Sequence, residues 1–195
     1  MCCKTLKQLL KSPLDAINRA KKEKNIGKTI WILILTWVLI GASFLIVSLR
    51  MFTPLISIGV GVTFFLLGVL CSIFCGYIIL IIMNILGGRG KYFEGLTAIT
   101  YSSFPISVGI FITALLTLIH PMLGVIGFII IAVKTALSLS IYFRSVKVLF
   151  GTDMLTTFIG FLILLYVFMI SLYLTVIMSS TAISPFLSNI VSTMS

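Results

Sequence analysis

Few side chains in this sequence have chemistry to offer, and their spacing removes most of what they could do. The single histidine, His120, stands beside Pro121 at the end of an apolar run, where it reads as a cap or an interface residue, not a base or a ligand. The four carboxylates, Asp15, Glu23, Glu94 and Asp153, are scattered along the chain. No acid pair, histidine cluster or Ser-His-Asp set can be assembled from them, so general acid–base work and metal-assisted hydrolysis both lack parts. The expectation is a protein that is not an enzyme, with no catalytic residue, metal or cofactor. Cys71 and Cys75 sit one helical turn apart in an apolar run and read as packing residues, while Cys2 and Cys3 are either free thiols or, in a eukaryote, an acylation pair. Gly88-Arg89-Gly90-Lys91 has no hydroxyl after its lysine and lacks the phosphate-loop glycine spacing.

Lys134 is the costly exception. It is the thirteenth of the twenty-two residues from Met122 to Phe143. An unsatisfied lysine at that depth of a membrane helix costs ~2.5–3.5 kcal/mol. It shares a helix face with Gly127 and Ser138. Either it is an intramembrane polar site or it snorkels to a headgroup.

What must position these residues is a set of membrane helices. The 195 residues are 60% hydrophobic and only 9% charged, with mean hydropathy +1.28. Too little polar surface remains to cover a water-facing globule, so the solvent is lipid. The formal net charge of +10 therefore does not signal nucleic-acid binding, and most of it sits in residues 1–28. Uncharged runs place five spans at about 30–49, 55–86, 96–119, 122–143 and 155–178. Pro105 interrupts the third, which must borrow the segment before it to reach across. The second is overlong, and its end near Asn84 is expected to project past the lipid. Twelve basic residues fall in the segments expected to be cytoplasmic and only Arg50 in an outer loop, which sets the N-terminus inside and the C-terminus outside. The fold class is all-α: a polytopic bundle of five transmembrane helices with a short amphipathic helix ahead of it. Its three parts are a basic leader (1–28), a membrane domain (29–178) and an uncharged tail (179–195).

The leader is too basic, and its first apolar run too long, for a cleavable signal. Ser12-Pro13-Leu14-Asp15 is a helix-start pattern, and a helix follows to about Lys24. Leu6, Leu9, Leu10, Leu14 and Ile17 form an apolar stripe among lysines, suited either to lying on a membrane with anionic headgroups or to a solvated leader that enforces topology. Between the second and third spans, Gly87, Gly88, Arg89, Gly90, Lys91, Tyr92 and Gly95 make a cytoplasmic elbow, because backbone cannot turn within lipid with its amides unpaired. Tyr92 and Phe93 suit headgroup level. Gly68, Ser72 and Gly76 recur every four residues, a spacing that brings helices close; intramolecular packing is one use and homo-oligomerisation the other.

Gly87, Gly88, Gly90, Tyr92, Gly95, Tyr101 and Pro105, with the Ser12-Pro13 leader, resemble the cytoplasmic elbow and entry of the Yip family, whose name refers to Rab-type GTPases. The likeness is to compact prokaryotic members. It implies a five-span integral membrane protein of membrane organisation and trafficking. The long N-terminal region with the acidic and aromatic motif of eukaryotic members has no counterpart in residues 1–28, so GTPase contact does not follow. The expectation is a non-enzymatic scaffold that binds anionic lipid headgroups or an unidentified protein through its leader and elbow. It would be multi-pass in the plasma membrane of a prokaryote, or in the endoplasmic reticulum or Golgi of a eukaryote. The alternative is a small transporter or channel using Lys134.

Overall fold

The helix boundaries of the computed structural model fall where the sequence supplies stop and start residues; it describes residues 13–23, 25–170 and 173. Helix α1 is Pro13–Glu23, α2 Ile26–Ser48, α3 Pro54–Ile85, α4 Tyr92–Ile119 and α5 Gly124–Phe150. A shorter apolar helix, α6, covers Met154–Ile170. Asn25 caps α2 by accepting from the Lys28 amide at 3.2 Å, and Pro54 opens α3, where a missing amide hydrogen is harmless. His120 ends α4 and caps the single 3-10 turn Pro121–Leu123, its Nδ1 accepting from the Met122 amide at 3.2 Å. Gly151 stops α5 in the left-handed conformation (φ 68°) that favours glycine. No strand occurs among the described residues, and four helices, α2 to α5 (the last with the turn before it), are long and apolar enough to cross a membrane.

Three boundaries differ from expectation. Helix α2 starts at Ile26, not at residue 30, with Asn25 as its cap. Helix α4 starts at Tyr92, not at residue 96, because Glu94 supports its first turn by accepting from the Lys91 amide at 2.9 Å. Helix α5 continues to Phe150, past the expected end at 143. Arg144 and Lys147 mark a change of surroundings there, not the end of the helix, since the buried face continues through Tyr142, Val146 and Leu149. Of the fifth span, the structure describes α6; the remainder of 155–178 apart from Tyr173, and the tail, lie outside the described residues.

Helix α4 is the hub, packed against α2, α3 and α5. Without a hydrophobic drive between helices in lipid, contact depends on close packing and polar pairing, and this bundle uses both. Gly41 and Gly61 bring α2 and α3 together: a Cβ on Gly41 would lie 2.8 Å from the Gly61 carbonyl oxygen. The α2–α4 contact buries Thr29 against Thr97, their hydroxyls 3.3 Å apart. The aromatic rings of Tyr142, Phe143, Phe158 and Phe161 join α5 to α6. At the far end of the bundle from the glycine elbow, the Arg50 guanidinium donates to the Leu118 carbonyl at 2.8 Å.

Helix α1 corrects the surface-lying expectation. Ile17 is fully buried, together with Ala16 and Ala20, in the same cluster as Tyr101, Val146, Leu149 and Phe150. The apolar side of this short helix finds a protein groove at the ends of α4 and α5, where packed side chains replace both water and lipid. Asp15, Asn18, Arg19, Lys21 and Lys22 are exposed. Ser12, Leu6, Leu9 and Leu10, with their neighbouring lysines, lie outside the described residues, as does the Leu14 side chain.

Candidate functional site

The elbow is built by glycines that each meet a specific constraint. Gly87 adopts φ 85°, which lets the chain leave α3 in a Schellman turn: the Gly88 amide donates to Met83 O at 2.8 Å and the Gly87 amide to Asn84 O at 3.2 Å. The Arg89 amide then donates to Phe150 O at 3.0 Å, tying the elbow to the end of α5. Gly90 lies under the Phe150 ring, where a Cβ would come within 2.3 Å of a ring carbon. The elbow is thus clasped by the α5 terminus, and Lys21 of α1 donates to the neighbouring Val148 carbonyl from the other side. A cation at those carbonyls complements the negative end of the α5 dipole.

Between these parts lies a cleft of ≈ 490 Å³ lined by Lys21, Gly87, Arg89, Glu94, Leu149, Phe150 and Gly151. It carries two cations, one mostly buried carboxylate and exposed main chain. Beneath α1 a smaller polar recess is bordered by Arg19, Glu23, Asn25, Lys28 and Tyr101, and Lys28 pairs with Glu23 across its mouth.

The predicted elbow residues divide by exposure. Gly87, Arg89, Lys91 and Tyr92 are exposed, and Gly88 and Gly90 are half-buried. Gly95, Tyr101 and Pro105 are buried and serve the bundle. Gly95 meets Gly76 of α3, where an added Cβ would stand 2.4 Å from the Gly76 carbonyl oxygen. Tyr92 does not simply rest at headgroup level. Its hydroxyl donates to Ile73 O on α3 at 3.1 Å, and its ring lies 6.5 Å from that of Tyr77. The small-residue stripe faces inward: the Trp37 ring covers Gly68, Trp37 Nε1 donates to Ser72 Oγ at 2.8 Å, and Gly76 faces Leu96 and Gly95. An oligomer therefore needs a different face.

Lys134 is half-buried, its stem crossing Gly109 so closely that a Cβ there would lie 2.9 Å from Lys134 Cγ. Among the described residues it makes no hydrogen bond and no ion pair with a carboxylate, and no group of three or more His, Cys, Asp or Glu side chains is placed to hold a metal. Lys21, Glu94 and Phe150 line the cleft but escaped the sequence reading. For Glu94 a signal existed, a glutamate in the third position of the helix after a glycine turn. The part played by Phe150 depends on α5 running seven residues past the expected end at 143, which no local pattern announces.

A family model described as the Yip1 domain matches residues 7–178. No curated protein and no solved structure matches the chain.

Proposed function

The chain belongs to the Yip family, an integral, multi-pass membrane protein, and on that premise we propose that it is a non-enzymatic scaffold of membrane organisation or trafficking. The observation that carries the reading is the cleft between α1, the elbow and the end of α5, whose exposed rim holds Lys21, Arg89 and the nearby Lys91. Cations at a membrane surface each contribute on the order of 1 kcal/mol to holding anionic headgroups. We take the five spans, with the N-terminus cytoplasmic, as part of the same proposal, supported by the basic residues gathered at the elbow end and by Arg50 at the other. In nanodiscs that mix neutral and anionic phospholipids, anionic lipid should be retained through purification and seen by native mass spectrometry. Arg89→Gln with Lys91→Gln should lower that retention several-fold. Equal retention by the double variant, together with failure of photo-crosslinkers at Arg89 and Tyr92 to capture any lipid or protein in native membranes, would overturn the scaffold reading.

The second reading, a small transporter or channel, is favoured by Lys134, which has no bonded partner among the described residues. Its test is solute flux into proteoliposomes, where a flux abolished by Lys134→Leu would reverse the ranking.

A further inference from the structure

Hydroxyls inside a membrane helix normally bond their own backbone one turn back, and this bundle shows the habit repeatedly: Thr36 donates to Ile32 O and Ser43 to Leu39 O, each at 2.7 Å. Four buried polar atoms break it. Thr100 Oγ1, Ser138 Oγ, Tyr142 OH and Ser145 Oγ are sealed from the surface and have no hydrogen-bond partner among the described residues. Each of these residues is at least nine-tenths buried, with 0% exposure at Thr100 and Ser145, 5% at Tyr142 and 9% at Ser138.

Two of the four belong to one place. Lys134, Ser138 and Ser145 follow each other at helical spacing on α5. Tyr142 lies beside that stripe, its ring 5.6 Å from Phe161 of α6. Two contacts fix the direction of that stripe. Gly109 of α4 lies against the Lys134 stem, and Thr113 of α4 lies against Gly127, donating to both Gly109 O (2.9 Å) and Gly127 O (3.0 Å). The stripe therefore faces α4. Thr100 is nine residues from Gly109, half a turn out of phase, and so belongs to another side of α4. The α4–α5 seam thus carries an intramembrane ammonium and two hydroxyls with no bonded partner among the described residues, in surroundings where an unmet polar group is heavily penalised.

We propose that the α4–α5 seam binds a file of buried water molecules that satisfies Ser138 and Ser145 and reaches the Lys134 ammonium. Water is the ligand whose chemistry fits. It donates and accepts, so it bonds a hydroxyl in either sense, and it accepts from an ammonium. No carboxylate lines the stripe to recruit a metal cation. The stretch from Lys134 to Ser145 is about 16 Å at the helical rise. Hydrogen-bonded oxygens stand about 2.7–2.8 Å apart, so a file of that length takes about five waters. Lys134 is then held by internal solvent, not by snorkelling to a headgroup. This role is independent of the lipid cleft at the elbow.

The test is water-edited solid-state NMR on isotope-labelled full-length protein in lipid bilayers. Magnetisation should pass from water to the Ser138, Ser145 and Lys134 side chains at least about twofold faster than to Thr36 and Ser107, which are buried like the two serines but bonded by their own helices. Transfer no faster than at Thr36 and Ser107 would overturn the proposal, by showing that the serines turn to their own carbonyls in a dry seam. In the variant Ser138→Ala, Ser145→Ala, transfer to Lys134 should fall toward the Thr36 level. Undiminished transfer there would show Lys134 wetted by another route and would sink the file as its source of water.

Discussion

Replacing Gly95 by alanine tests the packing logic of the bundle. The new methyl would stand 2.4 Å from the Gly76 carbonyl oxygen, and the obstacle is backbone on both sides, so no flexible side chain can swing away. The helices must part by roughly 1 Å, since a comfortable carbon–oxygen contact is about 3.3–3.6 Å. Forcing a methyl group into a packed site costs about 1–3 kcal/mol. Against this, alanine is better than glycine in a helix by about 0.8–1 kcal/mol. The exposed Gly59 of α3 separates the two effects, because a Cβ there meets nothing within 4 Å. Gly59→Ala collects the propensity gain alone, so the two variants should differ in unfolding free energy by about 1–3 kcal/mol, Gly95→Ala being the weaker. Reversible unfolding in bicelles, followed by steric trapping, measures that difference. If Gly95→Ala matched or exceeded Gly59→Ala, the α3–α4 contact would not be the close backbone crossing described, and α4 would lose one of its three close partners.

Other positions carry their own tests. Trp37→Phe and Ser72→Ala, combined in a double-mutant cycle, should reveal a coupling of about 0.6–1.7 kcal/mol from the 2.8 Å indole–hydroxyl bond; additivity would show the pair to be uncoupled. Ile17→Ala should loosen α1 from its groove at a local cost of about 2–5 kcal/mol, seen as faster trypsin cleavage at Lys21 and Lys22 while α2 to α5 stay protected. Bonds from Thr156, through its side chain and its amide, hold the Asp153 carboxyl below the usual carboxylate range. Its contribution to the start of α6 is therefore complete above about pH 4, the value in the unfolded chain, and is lost as pH falls through the depressed value. Protection of the amides at 154–157, with the intrinsic exchange rate divided out, should fall in that acid window in the wild type, and show no such step in Asp153→Ala.

Much of the architecture was legible because lipid imposes few solutions. Uncharged runs and glycine or proline breaks located the long helices, and Gly87 and Gly88 marked a turn that needs positive φ. What escaped depended on partners distant in sequence. Nothing local to Ile17 says that its groove is made by Tyr101 and Val146, so a lipid-facing and a protein-facing leader look alike until the fold is seen. Charge misled at Arg144, where a change of environment resembles a helix end. Glu94 read only as one of four scattered carboxylates, yet it supports the first turn of α4 and lines the cleft. At Lys134 the cost was readable but the company was not, because the hydroxyl stripe acquires meaning only against Gly109.

The buried pairing of Thr29 with Thr97 has a consequence for how the chain is made. Translation delivers α2 and α3 to the bilayer well before α4 emerges, so for that interval Thr29 waits without the neighbour that will cover it. A ribosome-bound intermediate of this kind is a natural client for whatever shelters half-built polytopic proteins. Stalling synthesis just after the elbow should therefore leave a product that is cleared faster than one stalled after Gly151, where the keystone helix has already closed the arch.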